Sequence, residues 1–274
     1  RSADVAGKIF GSLKRVAAEG VWVRRSRAAT SGGFLAREFT SEVENARDET
    51  VELLISLAEP TAADVVMDYS VAPSVAALTV APMVKALDAV ADMADILEEG
   101  RRLAKALGVE TISFRQVDLF ALPYEAKAFT LAIACESLSQ SHDPVAALKE
   151  LRRVVAAGGR LVIVEPVVDE SLDAVFNDIA RLRQPAHRRY FRQAELESLA
   201  ADAGLHASRS MVARSTVDLS FWLQTAGATS ERAASVNKRF RALPVAAQIA
   251  MDVAFTDDAI SFSYDILGLR FECA

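Results

Sequence analysis

Cysteine and histidine are scarce in this chain of 274 residues: two cysteines, Cys135 and Cys273, and three histidines, His142, His187 and His206. Two cysteines do not build a disulfide framework, and neither sits in a CxxC pair. The histidines lack metal-ligand spacing such as HExxH, so no metal site is expected. Charge-free stretches are short as well. The longest runs from Tyr69 to Val84, 16 residues that include Pro73 and Pro82. A membrane-crossing helix takes roughly 20 apolar residues, so none is expected. There is no internal repeat, no low-complexity tract and no linker rich in Gly, Pro or Ser. A general excess of positive charge is also missing, since the net charge is −6. That balance argues against broad nucleic-acid binding.

What is present is apolar: 51% hydrophobic against 25% charged residues. That is too apolar for disorder and enough for a sizeable core. The charge is uneven. Residues 1–40 carry eight Lys/Arg and three Asp/Glu, or +5, which leaves −11 for the remaining 234. Phe10, Leu13, Val16 and Ala17 recur at helical spacing beside Lys14 and Arg15, so this basic arm presents an apolar stripe. It reads as a docking arm for an acidic protein partner or a membrane surface, as a solvated amphipathic helix, or as a lid on the chain's own domain. A soluble protein is expected, organellar if a targeting segment has been removed ahead of Arg1; the compartment stays open.

From residue 41 on, elements alternate. Ser41 and Glu44 form a capping-box signal for a helix that Pro60 stops. Ala63–Tyr69, Val84–Val90, Thr111–Val117, Phe129–Cys135 and Arg160–Glu165 read as buried strands. Helices are predicted over Asp92–Leu107, with Asp92 as N-cap, Glu98 and Arg102 paired outside and Gly108 as C-cap, and from Pro144 to Ala156, closed by Gly158 and Gly159. Such alternation builds βαβ units on a doubly wound, mostly parallel sheet. The last third predicts a helix over Gln193–Ala203, strands over His206–Ala213 and Ile260–Glu272, and helices around Asp218–Leu223, Ser230–Phe240 and Val245–Val253. The chain is read as an N-terminal extension, residues 1–40, and one α/β domain, residues 41–274.

Several motifs carry a resemblance. They are Gln116-Val117-Asp118-Leu119-Phe120-Ala121-Leu122-Pro123-Tyr124 with Phe129, His142-Asp143-Pro144 leading to Leu151-Arg152-Arg153-Val154-Val155, and Gly158-Gly159-Arg160-Leu161. Pro185-Ala186-His187-Arg188 and the segment from Asp218 to Gly227 with Trp222 add to them. With these motifs the chain resembles class I S-adenosylmethionine-dependent methyltransferases, most closely the small-molecule enzymes of menaquinone and ubiquinone biosynthesis, over about 85% of its length. The resemblance implies a Rossmann-like sheet of seven strands in the order 3-2-1-4-5-7-6, with strand 7 antiparallel.

The family's cofactor loop is an acid, one residue, then GxGxG after strand 1. Here the same positions read Asp68-Tyr69-Ser70-Val71-Ala72-Pro73-Ser74, and Ser70, Ala72 and Ser74 replace all three glycines. Glycine is needed there because the backbone bends tightly and approaches the ligand closely. A non-glycine residue at positive φ costs about 1–2 kcal/mol, so an unchanged loop would carry roughly 3–6 kcal/mol of strain. About 4 kcal/mol separates micromolar from millimolar binding. The family's ribose-binding acid falls on Ala91, with Asp92 and Asp88 nearby. Asp118 matches the acid that faces the adenine amine and also reads as a strand-end turn residue.

The sequence therefore reads as a methyltransferase-fold protein that has lost its cofactor and acts as a binding or structural subunit, with no cofactor and no catalytic residue expected. Two alternatives stand beside it. One is a working methyltransferase holding S-adenosylmethionine through Asp68, Ser70, Ala72, Ser74, Asp92, Asp118 and Cys135. The other is an enzyme of another class that reuses the substrate pocket. Cys135 otherwise reads as a strand core residue. Candidates for a substrate or partner pocket are Glu136, a general base or a solvated loop acid, and the basic aromatic run His187, Arg188, Arg189, Tyr190 and Arg192, an anion site or a solvated charge run.

Overall fold

The computed structural model describes residues 49–70, 75–257 and 259–274. The basic arm, the Ser41–Glu44 capping box, and loop residues Ala72, Pro73 and Ser74 lie outside them. Eight strands form one sheet: β1 Val65–Asp68, β2 Ala86–Ala91, β3 Ile112–Gln116, β4 Phe129–Cys135, β5 Val155–Val167, β6 Ala207–Asp218, β7 Ala254–Phe255 and β8 Ile260–Glu272. The order is β3-β2-β1-β4-β5-β8-β6, with β7 paired to β8. The first five strands pair in parallel, and β8 runs antiparallel to both β5 and β6. This is the expected order, and the two-residue β7 is the eighth strand the sequence did not predict.

The described part of the first helix, α1, is 49–58. It is followed by α2 Val75–Val80, α3 Ala94–Leu107, α4 Pro144–Val154, α5 Asp173–Arg183, α6 Gln193–Asp202, α7 Leu219–Thr225, α8 Ser230–Arg241 and α9 Val245–Ala250. Both faces of the sheet are covered, and β4 shows how. Leu131, Ile133 and Cys135 pack with Leu54 and Leu57 of α1 and Ala77 of α2. Ala132 and Ala134 face the other way, onto Leu148 and Leu151 of α4 and Leu196 of α6. A strand buried on both faces has to be apolar throughout, which is why Phe129–Cys135 is legible as a strand from its composition. A third cluster joins α5, α7 and α8 to β8 through Phe176, Trp222, Phe240 and Phe262.

Local chemistry sets the ends. Asp143 caps α4, its carboxylate accepting the Ala146 N–H at 2.9 Å, with Pro144 at the first helical position. Gly108 closes α3 in the left-handed region. Other local expectations are corrected. Asp92 is not the cap of α3: Met93 holds that place without a side-chain cap. Glu98 pairs with Arg101 at 3.4 Å, one residue earlier than the expected Arg102. Gly158 and Gly159 do not close α4, which ends at Val154. They lie in an irregular stretch of β5 between the pairs Phe129–Val155 and Leu131–Arg160. A Cβ on Gly159 would sit 2.8 Å from the Thr130 carbonyl oxygen, so glycine allows the close approach. β5 runs on through Pro166, beyond its last pairing with β4 at Val164; at Pro166 itself it pairs with β8 alone, and Val167 then bridges Phe191. Proline is tolerated where one side of the ladder is open.

Candidate functional site

In open parallel sheets ligands bind at the carboxyl ends of the strands. At the end of β1, Asp68 is 2% exposed and Ser70 is 7% exposed. The Ser70 hydroxyl donates to Asp68 Oδ1 at 2.5 Å and accepts the Cys135 N–H at 3.3 Å. A side chain thus ties the ends of β1 and β4 together where a glycine would leave only backbone. Cys135 is buried, and burial, with Asp68, Glu136 and Glu165 nearby, pushes its thiol well up. It is a protonated core residue, as its place on β4 dictates.

The ends of β2 and β3 are more open. Asp92 follows β2 directly and is exposed. Its backbone oxygen accepts from Gln116 Nε2 at 2.8 Å, while its carboxylate has no hydrogen-bond or ion-pair partner among the described residues. Asp118, also exposed, forms a turn in which Oδ1 accepts the Phe120 N–H at 2.8 Å. Both acids lie near the phenol of Tyr69. Burial and then the charges of Asp92 and Asp118 push that phenol far up. Asp88 is not available as a substitute for the acid after β2, because it takes Tyr124 Oη at 3.1 Å, the Ser113 hydroxyl and Arg115.

These two regions differ as hosts for S-adenosylmethionine. The β2–β3 end fits a polyhydroxylated, amine-bearing group, with the exposed carboxylates of Asp92 and Asp118 both near the Tyr69 phenol. The β1 end does not fit a closely approaching ligand backbone, because the Ser70 side chain already occupies Asp68 and the Cys135 N–H. Among the described residues no group of His, Cys, Asp and Glu has the arrangement of a metal site.

After β4 the chain turns sharply. Glu136 is exposed and sits at φ 53, a conformation that costs a non-glycine residue about 1–3 kcal/mol and clusters at functional sites. Beside it the buried Ser137 hydroxyl has no hydrogen-bond partner among the described residues. Beneath lies Glu165, fully buried, which accepts the N–H of Leu138 at 2.7 Å and that of Ser139 at 3.4 Å. Burial outweighs these donors and pushes its carboxyl up to about 8, so it is protonated at neutral pH. Tyr190 and Tyr264 complete the group, and burial raises both phenols.

Most of the run from His187 to Arg192 is buried or ion-paired rather than a solvated charge run. His187 is 5% exposed, packs at a tilt against Tyr190 with ring centroids 4.3 Å apart and faces Asn177 Oδ1 at 3.4 Å. Burial, then Arg183 and Arg181, pull its pKa down to about 4. Asn177 also clasps the Tyr190 backbone, accepting its N–H at 2.7 Å and donating to its carbonyl at 3.0 Å. Arg189 is bound to Asp173 at 2.7 Å and Glu195 at 3.0 Å, and Arg192 lies near Glu170 and Asp173. Arg188 alone is exposed without a partner among the described residues. The sequence reading missed Glu165, Asn177 and Tyr264. Glu165 had a signal: an acid inside the apolar run from Leu161 to Val167.

With this geometry in place, comparison with known proteins is informative. A family model described as a methyltransferase domain matches residues 70–163. The uncharacterized methyltransferase YcgJ of Bacillus subtilis is 28% identical over 156 residues, 56% of this chain. The chain spans 62% of that relative, less than two thirds of its length. The uncharacterized protein YafE of Escherichia coli is 30% identical over 146 residues, 51% of this chain and 67% of that protein. The crystal structure of YcgJ matches with a TM-score of 0.73 at 21% identity, over 83% of this chain and 99% of that one. Geranyl diphosphate C-methyltransferase from Streptomyces coelicolor, solved with Mg2+, geranyl diphosphate and S-adenosylhomocysteine, shares the fold with a TM-score of 0.57 at 15% identity, over 83% of this chain and 79% of that one. The chain belongs to the class I S-adenosylmethionine-dependent methyltransferase family.

Proposed function

We propose that this member of the methyltransferase family does not hold S-adenosylmethionine and works as a non-catalytic subunit of a larger assembly, with residues 1–40 as its docking arm. The observation that supports this reading is the Asp68–Ser70–Cys135 linkage. The carboxylate and the N–H that border the cofactor loop are joined to a side chain that the family's glycine lacks. Desolvated groups already paired within the protein have little to offer a ligand, and displacing Ser70 costs the charge-assisted bond, about 1.5–3 kcal/mol. The loss of glycine at 72 and 74 acts in the same direction.

A second reading, a working methyltransferase with a divergent loop, draws on Asp92. Its carboxylate is exposed at the end of β2 and does not cap α3, so an acid remains where the family binds ribose. The S. coelicolor neighbour is solved with S-adenosylhomocysteine, and the same ligand tests this chain. A ligand at 100 times its dissociation constant stabilises a protein by about 2.7 kcal/mol. S-adenosylmethionine and S-adenosylhomocysteine are expected to leave the melting temperature of the wild-type chain unchanged. The triple variant S70G/A72G/S74G is expected to gain a shift. Micromolar binding to the wild-type chain in calorimetry would overturn the proposal in favour of the second reading. For the arm, deletion of residues 1–27 is expected to leave the melting temperature unchanged. A drop would make the arm a lid, since each buried Phe or Leu is worth roughly 1.5–3 kcal/mol.

A further inference from the structure

Away from the ends of β1 and β2, a cavity of about 220 Å³ opens where β5 leaves the sheet beside the start of β8. Val167, Leu172, Phe176 and Met251 make its apolar wall, and Tyr264 adds a second aromatic ring. A dry apolar cavity of about 150 Å³ accommodates benzene, so this one has room for a ring-sized body with a polar substituent.

The polar side consists of Asp169, Arg214 and Asp265. Arg214 is already engaged. Its Nη1 donates to Asp265 Oδ1 at 2.9 Å, its Nε and Nη2 donate to Asp252 Oδ2 at 3.1 and 2.7 Å, and Nη2 also donates to the Ala250 carbonyl at 2.6 Å. Two carboxylates therefore surround one guanidinium, and Asp169 adds a third. Its Oδ1 accepts the Ser171 N–H at 2.9 Å, and this donor together with the Ser171 hydroxyl keeps Asp169 ionised. The mouth is thus acidic in sum, and its one cation is already paired. A carboxylate or phosphate entering here would meet like charge, whereas an ammonium group would find Asp169, Asp265 and the Tyr264 ring.

We propose that this cavity binds a small organic cation: an ammonium group on an apolar body about the size of one six-membered ring. The inference goes beyond the proposed function and holds whether or not S-adenosylmethionine is bound.

Benzylamine, benzyl alcohol and benzoate probe it, titrated into the full chain while the methyl signals of Leu172 and Met251 are followed by NMR. Benzylamine is expected to saturate and to bind about tenfold tighter than the alcohol, with benzoate weakest. Asp169→Asn, on an exposed residue, is expected to remove most of the preference for the amine. Ala250→Phe, which fills the cavity, is expected to abolish the shifts with all three probes. Equal binding of amine and alcohol, tighter binding of benzoate, no saturation by benzylamine, or shifts that survive Ala250→Phe would each overturn the proposal. The Asp169 variant keeps the test decisive should Ala250→Phe fail to fold.

Discussion

At the end of β5 a carboxyl group sits out of contact with solvent, with two backbone N–H groups aimed at it. The ordinary value for a glutamate carboxyl is 4.5, and burial raises that of Glu165 to about 8. Between these values the folded chain keeps a proton that the unfolded chain has lost. Stability therefore falls as pH rises through that window, by about 1.4 kcal/mol per unit at most for one group. Glu165→Gln mimics the protonated form. It is expected to remove this slope and to stabilise the protein by a few kcal/mol above pH 8, as read by urea unfolding over a pH series. A wild-type slope that persists in the variant would count against a buried neutral Glu165. Residues of this kind are the hardest to read from sequence. Asn177 and Tyr190 lie 13 residues apart and meet because the segment after α5 returns to that helix, and an asparagine in a helix carries no sign that it will clasp backbone beyond the helix end. Asp68 and Ser70 were legible because a motif names their positions, although the motif says nothing of the bond between them.

Among the elements, legibility followed burial. β4 is read to the residue because both of its faces are covered, and β8 because apolar side chains recur along its length. α5 was missed: no side chain caps its start at Leu172, and it follows a strand that continues through a proline. The far end of β6 was cut short, because Arg214, Ser215 and Thr216 read as polar although Ser215 and Val217 are buried. One contact between elements lends itself to a direct test. Gly268 of β8 lies under α1, and a Cβ there would collide with Leu57 and stand 2.9 Å from Leu53 Cγ. Gly268→Ala is expected to push α1 off the sheet and cost about 1–3 kcal/mol in chemical denaturation. An unchanged midpoint would mean that α1 yields freely.

For the whole molecule, two buried groups titrate against each other. His187 has its pKa pulled from 6.5 to about 4, so the unfolded chain takes a proton there that the folded chain refuses. Its contribution to stability is present above pH 6.5 and is lost as pH falls toward 4. Glu165 acts in the opposite sense from 4.5 to about 8. Over their shared window, from 4.5 to 6.5, the two slopes cancel. Stability is expected to be level there and to decline above it. Glu165→Gln converts the level stretch into a rise with pH, which differential scanning calorimetry at constant ionic strength measures directly. A wild-type optimum near pH 8 would rule out this balance.

The position of β8 has a consequence for how the chain is made. β6 leaves the ribosome before α7, α8, α9 and β7, and the strand that joins it to the rest of the sheet comes after them all. Until Ile260–Glu272 has emerged, β6 has no neighbour in the sheet, and β5 is exposed along its β8 side. The first five strands can assemble as they are synthesised, but the last third must wait with an open edge. Premature termination between Asp218 and Ile260 thus yields a nascent chain in which β5 and β6 both lack β8, the kind of species that chaperones retain and proteases clear.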